Sequence, residues 1–465
     1  MVERPALGAL RYGGGAVTEW SPGADVATAE GPAPDDPTTQ PPYDGEQGEP
    51  GAAAETGTGD EVPGRWRRLW LEWRRPLTIA VGATVGFRLI VTWIALVSAD
   101  GVNFPHVVAR HPSTLTDVLA QWDVGYYLTL AAHGYPGHAV GAAQTGNRAF
   151  YAFGPLYPGL TRLTHAVTGI GYVTSSEIVS TLGLVVALAA LWKLVDLEVG
   201  RRAADAACVM LLAWPSAFFL VATYPESVTL AAATLAFLAV RRGHFVAAGV
   251  LAAAAAMGKY YLVLLLVPLA MEAWFAPRER DSWRAGRDLE WLSPLRVTAG
   301  RLVAVAAPTV LVLVAWVVYQ KAHFGEWLAF VKSQAQWHRH VSWPWTSIGH
   351  AVSDLVHWRL LDTSTASVTE LFDLVTVVLL AVAAVVAYLR IRPSYGVLLG
   401  LAWCVFTFQT ILLSENREVL VLFPFFAVLG LWVARHQWRE RALLFLFLPC
   451  GYFLLERFVT GKFAG

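Results

Sequence analysis

The residues best suited to chemistry lie in the stretch QWDVGYYLTLAAHGYP, residues 121–136, where Asp123 is the only acid and is flanked by Trp122, Tyr126 and Tyr127. A carboxylate set among aromatic rings beside an apolar segment is partly out of water, and such a group is a good acceptor for a hydroxyl proton near neutral pH. The same pattern also fits an aromatic belt at a membrane surface, with Asp123 capping a helix. Cations supply the complementary half. Arg417 stands at the end of an apolar run, Lys259 interrupts another, and His338 and Arg339 close an aromatic stretch. Such groups hold phosphate and steady a growing anion. Arg417 also fits a snorkelling anchor, and Lys259 fits an ion pair with a neighbouring helix. Glu226, directly after Tyr224 and Pro225, either favours a helix N-terminus or hydrogen-bonds substrate hydroxyls. Trp122, Tyr127 and Trp337 offer flat faces to a pyranose ring, or anchor the chain at an interface.

Other chemistries find no support. The twelve histidines show no HxxxH pair with a companion Glu, so neither a metal nor a cofactor is expected. There is no Asp-x-Asp element, which argues against a nucleotide-sugar donor held by a bridging metal, and no Walker loop. Cys208, Cys404 and Cys450 all sit in apolar runs and read as small core residues.

The elements that must position these groups are membrane helices. Of 465 residues 55% are hydrophobic and 15% charged, and the mean hydropathy is +0.47. That leaves too little polar surface to cover a soluble globule. Residues 1–64 differ: they carry 12 acidic against 2 basic side chains, 9 prolines and 12 glycines. Such a segment cannot bury enough apolar surface to order itself, and an acidic disordered tail is expected. It lacks the basic start and apolar core of a secretory signal. It ends in RWRRLWLEWRR at 65–75, arginines for anionic headgroups and tryptophans for the interface. The rest, 65–465, is expected to form one transmembrane domain.

Apolar runs of helical length fall near 77–98, 173–195, 205–222, 226–241, 244–257, 260–276, 300–319, 368–389, 394–412, 418–434 and 441–458. The expectation is an all-α polytopic bundle of about eleven spans, ten to thirteen being compatible with the pattern. Several runs are shorter than the ~20 residues a crossing needs, which is tolerable where they line a water-filled cavity. The stretch 150–170 carries Pro155, Pro158, Arg162 and His165, so it is read as interfacial or re-entrant. Basic stretches at 65–75, 201–202, 241–242, 277–301, 390–392 and 435–441 all fall on one side with eleven spans, and the positive-inside rule makes that side the cytoplasm. The loops 99–172, 223–225, 320–367 and 414–418 are then extracytoplasmic. Two of them are long, and loops beyond ~12–15 residues are usually functional. No internal repeat is apparent, which weakens an inverted-repeat transporter.

The 121–136 stretch resembles the Trp-Asp-x-x-x-Tyr-Leu-x-x-Ala-x-x-Gly-Tyr element of the PIG-V-type, GPI mannosyltransferase II-like mannosyltransferases, which belong to the GT-C class of membrane glycosyltransferases. The resemblance continues in order through AFYAFGPLYP (149–158), AWPSAFFLVATYPES (213–227), the run 249–259 ending in Gly258–Lys259, HFGEWLAFVKSQAQWHR (323–339) and SENREVLVLFPFF (414–426). It covers roughly residues 77–435. Single elements are unspecific; six in order are not. The chain departs from the pattern at Gln121, Gly154, Trp214, Lys259 and Glu418.

The resemblance implies a GT-C-like bundle and a sugar donor carried on polyprenyl phosphate, most often mannose. It also implies a catalytic carboxylate in the first outer loop, which only Asp123 matches. The implied reaction is direct displacement at the anomeric carbon: Asp123 takes the acceptor's proton and the lipid phosphate leaves. The acceptor would be a glycan, glycolipid or protein; the other partners are membrane lipids, with no nucleic acid. Three alternatives stay open: a transferase for another lipid-linked sugar, a transporter or flippase for such a lipid, and a non-catalytic assembly partner in which Asp123 is dispensable. Arg-over-Lys, Pro- and Ala-rich composition suggests a bacterial plasma membrane.

Overall fold

A computed structural model describes residues 65–99, 117–276, 293–356 and 367–465, all within one unit, Pro63–Gly465. The acidic tail 1–64, most of the basic loop expected at 277–301, and parts of both long loops, 100–116 and 357–366, lie outside the described residues.

Among the described residues the chain is all-helical; one isolated antiparallel bridge joins Val341 to Gln409. The helices run α1 Arg65–Ala99, α2 Val124–His133, α3 Ala142–Ala149, α4 Leu156–Thr168, α5 Tyr172–Glu198, α6 Arg201–Ala213, α7 Glu226–Arg241, α8 Phe245–Gly258 and α9 Leu266–Phe275. They continue with α10 Ser293–Phe324, α11 Ala329–Lys332, α12 Pro344–Val356, α13 Ser367–Arg390, α14 Pro393–Thr407, α15 Glu415–Glu418, α16 Phe423–Val433 and α17 Gln437–Val459.

The eleven apolar runs become fewer long helices than expected. Among the described residues five are long and apolar enough to cross a membrane, within α1, α5, α10, α13 and α17, or six if the pair Glu415–Val421 and Phe423–Val433, bent by 86°, counts as one. The remaining runs are short because the sequence breaks them. The run 205–222 stops as a helix at Ala213, where Trp214 and Pro215 intervene and only a 3-10 turn, Ala217–Leu220, follows. The run 260–276 is a 3-10 segment, Tyr260–Leu265, before α9. Such pieces are admissible because they are sheathed by protein: α7, between α5 and α8, keeps even Ser227, Thr229 and Thr234 fully buried. In contrast α1 turns Leu89, Trp93 and Val97 outward, each more than 60% exposed, the apolar sheath of a membrane body. The basic loop is shorter than expected, since α10 begins at Ser293 and takes in Arg296 and Arg301. The stretch 150–170 forms a 3-10 turn and the 13-residue α4, too short to span.

The two ends of the bundle differ. At one, Arg241, Arg392, Glu198 and Glu272 form an ionic knot. Arg392 takes both oxygens of Glu272 at 2.9 and 3.0 Å and Glu198 at 3.3 Å, and Arg241 reaches Glu198 at 2.9 Å. Nearby, Arg242 pairs with Glu72, which also takes Lys193 at 3.2 Å. Three of the basic stretches expected on one side, 65–75, 241–242 and 390–392, therefore do meet. The charged cluster at the opposite end of α7 borders the cavity described next, where described parts of the connections expected on the other side converge.

Candidate active site

Arg417 is held by a short segment with little freedom. Ser414–Glu418 leaves the helical path at Ser414 with a left-handed φ of 69°. The Asp373 carboxylate on α13 receives the backbone N–H of Ser414 at 2.9 Å and of Asn416 at 2.7 Å. The Asn416 carbonyl accepts from Trp214 Nε1 at 2.9 Å and Ser216 Oγ at 2.7 Å. Gln409 Nε2 donates to Glu415 at 2.5 Å. The Arg417 guanidinium then lies over the rings of Phe219 (5.2 Å) and Tyr224 (5.3 Å), a favourable face for a cation.

Asp123 comes to it from the far end of the sequence. Its N–H donates to the Tyr224 hydroxyl at 3.3 Å, and that hydroxyl donates to the Gln121 carbonyl at 3.1 Å. The turn at 121–123 is thus pinned to the Pro225 corner. Asp123 Oδ2 then accepts from Arg417 Nη1 at 3.2 Å across 294 positions of chain. Three charges complete the cluster. Arg417 Nε stands 3.5 Å from Glu226 and Nη2 3.8 Å from Glu418, while Lys259 Nζ bridges Glu226 at 3.1 Å and Glu418 at 2.8 Å. Tyr261 donates to the Glu418 carbonyl at 2.9 Å. Three carboxylates thus surround two cations.

A cavity of about 450 Å³ opens beside this cluster, lined by Asp123, Tyr127, Phe153, Gly154, Lys259, Trp337, Arg339, His340, Arg417, Glu418, Phe463 and Gly465 among others. Arg339 is its least committed cation: it donates through Nη2 to the Leu413 carbonyl, while its buried Nε finds no hydrogen-bond partner among the described residues. Burial, with the Glu226 and Asp123 carboxylates nearby, holds the Tyr127 phenol well above its usual range, so it stays a neutral donor.

Two backbone features show that the cavity is built under constraint. The only non-glycine residues with left-handed backbone among the described residues are Trp122 (φ 60°), His338 (φ 56°) and Ser414 (φ 69°), and each immediately precedes a lining residue: Asp123, Arg339 and Glu415. Such conformations cost on the order of 1–3 kcal/mol each and cluster where a site over-determines the chain. Gly154 is required by its neighbour: a Cβ there would stand 2.0 Å from the Met257 carbonyl oxygen.

Of the residues singled out in the sequence, Asp123, Tyr127, Lys259, Trp337, Arg339 and Arg417 line one cavity. Glu226 is fully buried behind Lys259 and Arg417 rather than on the wall. Trp122 turns its ring to Phe463, edge-on at 5.7 Å, and is not on the wall. His338 is exposed and also off the wall, where His340 stands. The reading of Lys259 as an ion-paired helix residue holds together with its place on the wall. Sequence reasoning missed Glu418, Tyr224, Tyr261, Asp373 and Phe463. Two of these gave a signal, Glu418 as an acid directly after Arg417 and Tyr224 as the tyrosine of the 213–227 element.

No protein-family model matches the chain, and no curated protein does. Among solved structures it is similar to ArnT from Cupriavidus metallidurans bound to undecaprenyl phosphate, at 15% identity and TM-score 0.43, covering 79% of this chain and 63% of that one. It is also similar to the Archaeoglobus fulgidus oligosaccharyltransferase in the apo form, at 13% identity and TM-score 0.40, covering 86% of this chain and 57% of that one. The chain thus spans less than two thirds of the length of either. Scores at this level leave function to be read from the residues.

Proposed function

We propose that the chain is an integral membrane glycosyltransferase of the GT-C class. It moves mannose from a polyprenyl-phosphate carrier to a hydroxyl of a glycan, glycolipid or protein acceptor. The observation that carries the reading is the Asp123–Arg417 contact at the wall of a cavity that also presents Lys259 and Arg339: one base, and cations for one phosphate.

In the reaction, the acceptor oxygen attacks the anomeric carbon as Asp123 takes its proton. The bond from that carbon to the phosphate oxygen breaks, and the electron pair leaves with the phosphate. A phosphate leaving group needs no proton, only cations that tighten on it as charge grows. Arg417 begins the cycle engaged with three carboxylates, so Arg339, with donors to spare, meets the phosphate first. Arg417 keeps Asp123 Oδ2 on Nη1 throughout, which leaves Oδ1 to take the acceptor's proton, while its remaining donors turn to the departing anion. Glu226 stays behind as the counter-charge that keeps Lys259 and Arg417 in place. Tyr127 and Trp337 border the space for the pyranose. The site opens on the extracytoplasmic side of a plasma membrane, with the N-terminus in the cytoplasm. The shared location of described parts of the outer connections at one end, and of three basic stretches at the other, supports that arrangement.

The test uses membranes supplied with radiolabelled polyprenyl-phosphate mannose, wild type beside Asp123→Asn, with other lipid-linked sugars in parallel. Transfer that falls at least ~100-fold in the Asn variant, as expected on losing a general base, supports the mechanism. Transfer from a different carrier sugar alone reassigns the donor. Lipid-linked sugar that crosses the bilayer without transfer makes the chain a transporter.

A further inference from the structure

The C-terminal segment enters the cavity. Helix α17 ends at Val459, and Gly461, with φ 75°, turns the chain back. The buried Arg457 latches the returning strand: its Nε donates to the Phe463 carbonyl at 3.1 Å, and its own carbonyl accepts the Lys462 N–H at 2.8 Å. Ala464 is 2% exposed. Phe463 and Gly465 stand on the cavity wall. A Cβ built on Gly465 would lie 3.7 Å from Arg417 Cβ and 3.5 Å from the Phe219 ring.

Phe463 touches the weakest point of the active-site backbone. Its ring meets Trp122 edge-on at 84°, and Trp122 is the bulkiest of the three residues held in left-handed conformation. Relaxing Trp122 would rotate the next residue, Asp123, away from Arg417. Edge-to-face aromatic pairs contribute about 0.5–1.5 kcal/mol beyond buried area, comparable with the ~1–3 kcal/mol cost of such a backbone conformation.

The geometry points to Phe463 as a positioning residue for Asp123: the returning 460–465 segment holds Trp122 strained and so aims the carboxylate. This rests on the glycosyltransferase reading. It assigns to the end of the last helix a part in catalysis that neither its apolar composition nor any motif announces.

The experiment compares Phe463→Ala, Phe463→Leu and Phe463→Tyr in the full chain, in a background with Cys404 and Cys450 replaced by serine. A misaimed base costs up to ~10²-fold. Phe463→Ala and Phe463→Leu should lose roughly 30- to 100-fold in kcat while the donor KM stays within threefold. Phe463→Tyr, which keeps the ring edge, should recover to within threefold of wild type. Unchanged kcat in Phe463→Ala, or an equal loss in the Tyr variant, overturns the assignment. A second measurement needs no transfer: alkylation of Asp123→Cys by a small maleimide should speed up at least tenfold when Phe463→Ala is added. Equal labelling rates overturn the assignment too. Absent transfer from every lipid-linked sugar by the wild type, with labelling still dependent on Phe463, would remove the enzymatic reading and leave the contact standing.

Discussion

Replacing Arg417 by lysine keeps the charge and removes the fork, and the structure says how much that matters. Three different nitrogens of Arg417 face three carboxylates, Asp123 at 3.2 Å, Glu226 at 3.5 Å and Glu418 at 3.8 Å. A lysine has one nitrogen and can serve one of them well. The Asp123 contact is the only one at full hydrogen-bond distance, and bonds to charged groups are worth about 1.5–3 kcal/mol. Loss of the stacking on Phe219 and Tyr224 adds about 0.5–1 kcal/mol. The arginine side chain is only 12% exposed, so water recovers little of this. The total is about 2–4 kcal/mol, which corresponds to a loss of about 30- to 1,000-fold. Initial rates of transfer in proteoliposomes for Arg417→Lys, Asp123→Asn and the double variant decide the matter. The double variant should be only a few-fold slower than Asp123→Asn alone, because the contact the lysine cannot make is already gone. A double variant slower by the product of the single losses, or an Arg417→Lys enzyme with wild-type rates, would refute the coupling.

Other perturbations test neighbouring parts. Glu418→Gln removes one of the two carboxylates on Lys259, at 2.8 Å, and leaves it with Glu226 at 3.1 Å; the apparent KM for the donor should fall several-fold, and a rise would place Glu418 in donor binding instead. Gly154→Ala puts a Cβ 2.0 Å from the Met257 carbonyl and should lower the melting temperature and activity, as overpacking costs about 1–3 kcal/mol or more. Gly82→Ala, with nothing within 4 Å of the added carbon, should be neutral or slightly stabilising in the same melt. In a cysteine-free chain, Trp345→Cys and Arg110→Cys should label from outside intact cells and Ala285→Cys should not; external labelling at 285 would invert the proposed orientation.

How far the sequence announced all this depends on the range of each interaction. Asp123 was legible because its aromatic setting is local, within residues 121–136. Arg417 and Lys259 were legible because charges in apolar runs are rare. Helix existence followed hydropathy, but not helix length: Pro215 and the sharp turn at Leu422 cut runs that hydropathy alone reads as continuous. Other roles depend on partners distant in sequence. Trp214 anchors the Asn416 carbonyl, and Asp373 caps the same segment from α13. Both polar atoms of the Gln121 side chain are buried without a hydrogen bond among the described residues; no feature of the structure explains that residue.

The ionic knot at the other end of the bundle bears on how the chain is assembled during synthesis. Glu272, on α9, takes two short contacts from Arg392, 120 residues later, and one from Ser394 at 2.5 Å, while Arg241 reaches it only at 3.6 Å. At ~5–20 residues per second, the acid waits about 6–24 s for its partner. A buried acid whose one earlier cationic partner stands at 3.6 Å is under-compensated, so α9 gains its tight seat only when Arg392, just ahead of α14, arrives beside it. The half of the bundle made first is therefore completed by the half made last, and nascent chains cut short before residue 392 would leave an acid exposed to quality-control proteases.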